Sequence, residues 1–130
     1  MAYDPEAKSV FCIGGFNNYQ NVLGTAEVAT LDGGSRWEYI EELNMRRLNA
    51  AACRVGKKYT YVFGGRNEAS LLDSIERYNA DYNIWNLLNL VLPCPVSNLY
   101  ALPLPHAHHH VLILGGLKEA AKSGGKKEQF

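Results

Sequence analysis

The stretch "YTYVFGGRN" (Tyr59 to Asn67) sets five residues of strand chemistry against two glycines and an arginine. Tyr, Thr, Val and Phe suit a pleated, packed surface, and a glycine pair ends such a run by admitting backbone angles that other residues avoid. The same phrase occurs as "VFCIGGFN" (Val10 to Asn17) and "VLILGGLK" (Val111 to Lys118). The glycine pairs begin at Gly14, Gly64 and Gly115, so the intervals are 50 and 51 residues. Trp37 and Trp85 are 48 apart, and "EVATLD" (Glu27 to Asp32) aligns with "SIERYN" (Ser74 to Asn79), placing Val28 over Ile75 and Leu31 over Tyr78. Three kinds of landmark share one period, which is the signature of a repeat.

Within the second copy, strands are predicted over 50–55, 59–63, 73–79 and 84–90, with "GKK" (Gly56 to Lys58) as a tight turn. The runs "VFCI" and "VLIL" do not alternate apolar with polar residues, which predicts strands buried on both faces. A four-stranded sheet covered on both sides by similar sheets is a propeller blade.

A chain of 130 residues with 47% hydrophobic and 20% charged residues can build one modest core. Thirteen basic residues balance thirteen acidic ones, so no overall field draws the chain to nucleic acid or an anionic membrane. "MAYDPEAKSV" does not read as a signal peptide, and no run reaches the roughly 20 apolar residues of a membrane-spanning helix. Cys12, Cys53 and Cys94 form no CxxC pair, which predicts reduced thiols in a cytoplasmic protein.

A period near 50 with a strand ending in Gly-Gly, then Tyr and Trp in order, resembles the Kelch repeat. The resemblance implies an all-β fold of four-stranded antiparallel blades: residues 2–43 as one blade, 44–92 as a second and 97–117 as half of a third. Residues 118–130, rich in lysine, are expected to be a mobile tail. The family's pattern gives Gly14, Gly15, Gly64, Gly65, Gly115 and Gly116 the strand ends, and makes Tyr78, Trp37 and Trp85 plates packed between blades. Leu31 departs from the pattern, which expects an aromatic residue there. Kelch propellers close with about six blades. Two and a half blades therefore predict an open fragment, completed by more of a longer chain or by another chain, and prone to self-association.

The chemistry-bearing residues are few. "HAHHH" (His106 to His110) brings imidazoles together, and an i, i+2 pair drawn from His106, His108 and His110 could share one metal ion. No carboxylate or cysteine lies near in sequence to complete a site, so a solvated hairpin turn is the preferred reading. The loops after each glycine pair and before each first strand open on one rim. They carry Asn17, Asn18, Tyr19, Arg46, Arg47, Arg66 and Asn67 as candidate partner-binding residues, with Arg66 foremost. Arg47 can equally pair with a carboxylate of a neighbouring blade, and Asn17 and Asn67 can cap turns. The sequence holds no phosphate loop, GxSxG or HExxH motif. The resemblance to the Kelch repeat implies a protein-interaction module for a cytoskeletal, scaffold or ubiquitin-ligase partner, and no catalysis and no cofactor are expected. An acidic peptide would suit the arginines. The alternatives are a share of an enzyme on the same fold, of the copper-oxidase or sialic-acid-epimerase type, or a truncated fragment without independent function.

Overall fold

A computed structural model describes residues 1–4, 8–18, 21–32, 36–56, 58–107, 109–119 and 128–129. It contains eleven strands: β1 (Ala2–Asp4), β2 (Ser9–Phe16), β3 (Val22–Thr30), β4 (Trp37–Ile40), β5 (Ala51–Val55), β6 (Tyr59–Phe63), β7 (Ser74–Asn79), β8 (Ile84–Val91), β9 (Ser97–Pro103), β10 (Val111–Lys118) and β11 (Glu128–Gln129). All pairings are antiparallel and run in chain order, β1-β2-β3-β4, then β5-β6-β7-β8, then β9-β10 with β11 on the far side of β10. The described residues thus form two complete blades and the inner half of a third, with no helix. Residues 118–130, expected as a tail, include a pairing: Leu117 opposes Gln129 and Lys118 opposes Glu128.

Opposed residues across an antiparallel pair share a face, so the register assigns each side chain to one side of its blade. Phe11, Ala26, Ile13 and Ile40 of the first blade meet Val62, Tyr78, Trp85 and Ala52 of the second. Arg54 of the second blade lies over the Phe11 ring at 5.6 Å, and Tyr78 meets the same ring edge-on at 6.2 Å. The other face of the second blade presents Cys53, Phe63 and Ile75 to Leu99, Val111 and Ile113 of the third. Val62 and Phe63, adjacent in β6, therefore fill two different cores.

Only the middle blade is sandwiched, which corrects the expectation that the runs "VFCI" and "VLIL" are buried on both faces. Cys12 on β2 is exposed, and so are Leu112 and Leu114 on β10. Among the described residues no blade lies in front of the first sheet or behind the third. Trp37 and Trp85 show the same effect at one repeat position. Trp85 is 6% exposed and donates its Nε1–H to the Glu41 carbonyl at 2.8 Å, whereas Trp37, expected as an inter-blade plate, is 49% exposed.

The register also corrects the repeat alignment. Val62 opposes Glu76 and Cys12 opposes Glu27, while Thr60 opposes Tyr78 and Val10 opposes Ala29. Ala29, not Leu31, stands where Tyr78 stands, because the loop after the first glycine pair is two residues shorter than the matched segments imply.

Candidate functional site at the glycine rim

Each blade carries two left-handed glycines on its second strand, with φ of 65° and 114° at Gly14 and Gly15, 59° and 94° at Gly64 and Gly65, and 71° and 114° at Gly115 and Gly116; they follow the end of β6 as expected but lie inside β2 and β10, where pairing resumes beyond them. At Gly14 a Cβ would stand 2.5 Å from the Arg47 carbonyl oxygen, and at Gly64 it would stand 2.6 Å from that of Val96. Neither space admits a side chain. The close approach serves one hydrogen-bonding pattern used twice. Gly15 N–H donates to Arg47 O at 2.8 Å, and Arg47 N–H donates to Leu23 O at 3.1 Å. Gly65 N–H likewise donates to Val96 O at 2.8 Å, and Val96 N–H donates to Leu72 O at 3.0 Å. These ties bind blade to blade at the rim and hold its loops in place.

Arg47 does not belong to the accessible surface, which corrects its assignment to partner binding. It is 1% exposed, and all five of its guanidinium N–H groups are used. Nε and Nη2 donate to Glu76 Oε2 at 3.2 and 2.9 Å, Nη1 donates to the carbonyls of Gly64 and Ser74 at 2.8 and 3.0 Å, and Nη2 also donates to Ser74 Oγ at 2.8 Å. Desolvation lowers the Arg47 pKa from its ordinary value, opposed by the hydrogen bond and charge of Glu76. Glu76 in turn accepts from the N–H groups of Asn44 and Met45, at 2.7 and 3.1 Å. Repeat logic places Val96 at the corresponding position before the third blade.

Two of the candidate asparagines are turn caps. Asn17 Oδ1 accepts the Asn21 N–H at 3.0 Å, and Asn67 Oδ1 accepts those of Ala69 and Ser70 at 2.9 and 3.0 Å. Asn18 is exposed in the turn after β2. Tyr19 lies outside the described residues. Arg46 is exposed and lies against Gly24, and its charge helps lower the Glu68 pKa, an effect led by backbone hydrogen bonds at Glu68 and Val22. Glu68 Oε1 accepts the Val22 N–H at 3.1 Å, so the loop of the second blade is fastened onto the first.

Arg66 holds a different position. Its backbone is paired to Leu48 in both directions, at 2.8 and 2.9 Å, while its side chain is exposed. It borders a polar pocket of about 270 Å³ between the second and third blades, together with Asn49, Asn67, Ser70, Asn98 and Lys118. Asn49 and Asn98 were not found by sequence reasoning. Both are left-handed at φ 57°, and Asn98 N–H donates to Asn49 O at 2.9 Å. They lie 49 residues apart, so applying the repeat period to "LNAAA" and "SNLYA" reveals them.

The histidines stand at the opposite end of the third blade, in the β9–β10 turn. Leu104 N–H donates to His110 O at 3.1 Å, and His110 N–H donates to Ala107 O at 3.1 Å. His106, His109 and His110 are exposed, and His108 lies outside the described residues. Among the described residues no three His, Cys, Asp or Glu side chains gather as a metal site. All three cysteines are free thiols, and no described helix is long and apolar enough to cross a membrane.

The Kelch motif matches residues 46–89, which run from just before β5 into β8. Among solved structures the chain is similar to YjhT, with a TM-score of 0.69 and 16% sequence identity over 89% of this chain. The chain spans 33% of the length of YjhT. At that identity the likeness speaks for the fold, and the motif falls on the blade whose strands, glycine pair, Tyr78 and Trp85 are all in place. One blade of the chain therefore carries a Kelch motif, and the described residues fold as a partial, open β-propeller.

Proposed function

We propose that this chain is an interaction module that holds a segment of a cytosolic protein partner against the glycine rim, binding it rather than transforming it. The observation that carries the reading is Arg66, an exposed guanidinium on a backbone fixed by two hydrogen bonds, beside a polar pocket between blades. A fixed base lowers the entropy that a long side chain loses on binding, and the planar fork matches a carboxylate at two points. Asn49 and Asn98 add side-chain amides suited to a peptide main chain. Arg66 and Lys118 share the pocket with Glu68 and Glu119, so its charge is balanced. The fitting ligand is accordingly a mainly polar segment with one well-placed carboxylate, rather than a polyacidic run.

The test is a peptide-array screen with the full chain, repeated with Arg66→Ala and with Lys58→Ala. Lys58 lies at the far end of the second blade, in an exposed ion pair with Asp81. A charge-assisted, bidentate contact predicts that Arg66→Ala weakens the selected peptide at least about tenfold while Lys58→Ala leaves it unchanged. Equal loss from both variants, or loss from neither, removes the assignment.

A further inference from the structure

The residue that follows the glycine pair is built into the rim in one way in both complete blades. Phe16 follows Gly15 and Arg66 follows Gly65, 50 residues apart. Phe16 opposes Val22, and Arg66 bridges to Leu71. Each is succeeded by an asparagine that closes a turn: Asn17 N–H donates to Asn21 O at 3.1 Å, and Asn67 N–H donates to Ser70 O at 3.0 Å. The first blade therefore sets an aromatic ring where the second sets a guanidinium. Phe16 is 54% exposed. That exposure belongs to the position and not to an open blade face, because Arg66 is exposed at the same point of the blade that has a neighbour on both sides.

The two blades hold these residues in a fixed relation. Glu68, two residues beyond Arg66, accepts at 3.1 Å the N–H of Val22, the residue that opposes Phe16. The Arg66 loop is thus fastened to the strand pair that carries Phe16. The charge of Arg46 acts on Glu68, and this opposite pair leaves that stretch of rim without net charge. Packed sheets stand about 10 Å apart, so equivalent points on neighbouring blades are separated by about that distance. A polyproline II segment rises about 3.1 Å per residue with three residues per turn. Its residues three positions apart therefore point to one side, about 9 Å from each other.

We propose that Phe16 is a second anchor of the Arg66 site, and that the segment bound there is a polyproline II stretch carrying one apolar residue, best an aromatic one, three positions from its carboxylate; this rests on Arg66 as the carboxylate anchor. Arg66 takes the carboxylate at two points, while the exposed Phe16 ring lets an apolar side chain leave water. The two residues between them pass over the balanced Arg46 and Glu68 and need no charge. The spacing supplies the specificity, since side chains two positions apart leave a polyproline II stretch in different directions and reach only one anchor.

Three fluorescein-labelled peptides of one composition, with Gly-Ser flanks around the cores Phe-Pro-Pro-Asp, Asp-Pro-Pro-Phe and Phe-Pro-Asp-Pro, are titrated into the full chain by fluorescence anisotropy. The prolines hold the polyproline II form, and the two orders cover both directions along the rim. One of the first two peptides is expected to bind saturably and at least about tenfold tighter than the third. Phe16→Ala, at an exposed position, should erase that difference, and Phe16→Leu, which keeps an apolar anchor, should retain most of it. Arg66→Ala should weaken the tightest peptide at least about tenfold. If Arg66 is required but the three peptides bind equally, or if Phe16→Ala leaves the difference intact, the second anchor is overturned while the role of Arg66 stands. If Arg66→Ala changes nothing, or no peptide binds, both fall.

Discussion

Arg47 and Glu76 form a fully buried ion pair, Nη2 to Oε2 at 2.9 Å, with both side chains at 0% exposure. The pair joins the segment entering the second blade to that blade's third strand. Through the carbonyl of Arg47 it also reaches Gly15 of the blade before it. One side chain thus fixes an entry loop, a strand and an inter-blade tie.

Removing one partner leaves the other charge buried and uncompensated. Arg47→Met is expected to lower stability by about 3–5 kcal/mol, and Glu76→Leu by a similar amount. The double variant should recover much of the loss, since two apolar residues leave neither charge stranded. Urea unfolding followed by circular dichroism on all three variants checks this, and strictly additive losses would show that the pair is not coupled.

The two tryptophans should report opposite environments. Trp37→Phe is expected to leave stability within about 0.5 kcal/mol, as for an exposed site. Trp85→Phe loses the hydrogen bond to Glu41 and packing against Tyr78, whose ring centroid is 5.1 Å away, and should cost about 1–3 kcal/mol. With Trp37 replaced, the remaining fluorescence should resist acrylamide quenching. With Trp85 replaced, it should be quenched readily.

Outward-facing residues of the third blade predict self-association. Tyr100 opposes Leu114 and Leu102 opposes Leu112, giving two adjacent apolar pairs on one face, with Tyr100 72% exposed. Leu112→Lys with Leu114→Lys is expected to raise the monomer fraction in sedimentation velocity at a given concentration. No change in the distribution would place association elsewhere.

Thiol reactivity should separate the cysteines. Cys12 is exposed and is expected to react first with iodoacetamide, while Cys53 is buried, its pKa pushed up to about 11 by desolvation. Because the folded pKa lies above the unfolded value, the unfolded chain releases this proton first as pH rises. Cys53 therefore contributes stability in full below about pH 9 and loses it towards pH 11, by about 2 kcal/mol. Cys53→Ala should flatten that alkaline decline in urea midpoints.

The repeat, its strands and its glycine turns were legible in the sequence because each rests on local chemistry. Apolar runs make strands, paired glycines permit left-handed backbone, and a recurring spacing marks a unit. The β6 bounds, Tyr59–Phe63, coincide with the sequence prediction, and the three glycine pairs have the backbone angles that only glycine accepts readily. What a side chain faces is not local. Trp37 and Trp85 share a repeat position, yet one is exposed and the other buried, because only Trp85 has a blade in front of it. Arg46 and Arg47 are neighbours of equal charge, and only the fold decides that one lies at the surface while the other spends every donor inside. Ala29 replaces Leu31 opposite Val10 because hydrogen-bond register, not spacing along the chain, sets which residues meet. Sequence determined the unit and its number of copies. Tertiary structure decided which faces of those copies are filled and which are exposed among the described residues, because burial depends on neighbours that one repeat does not encode.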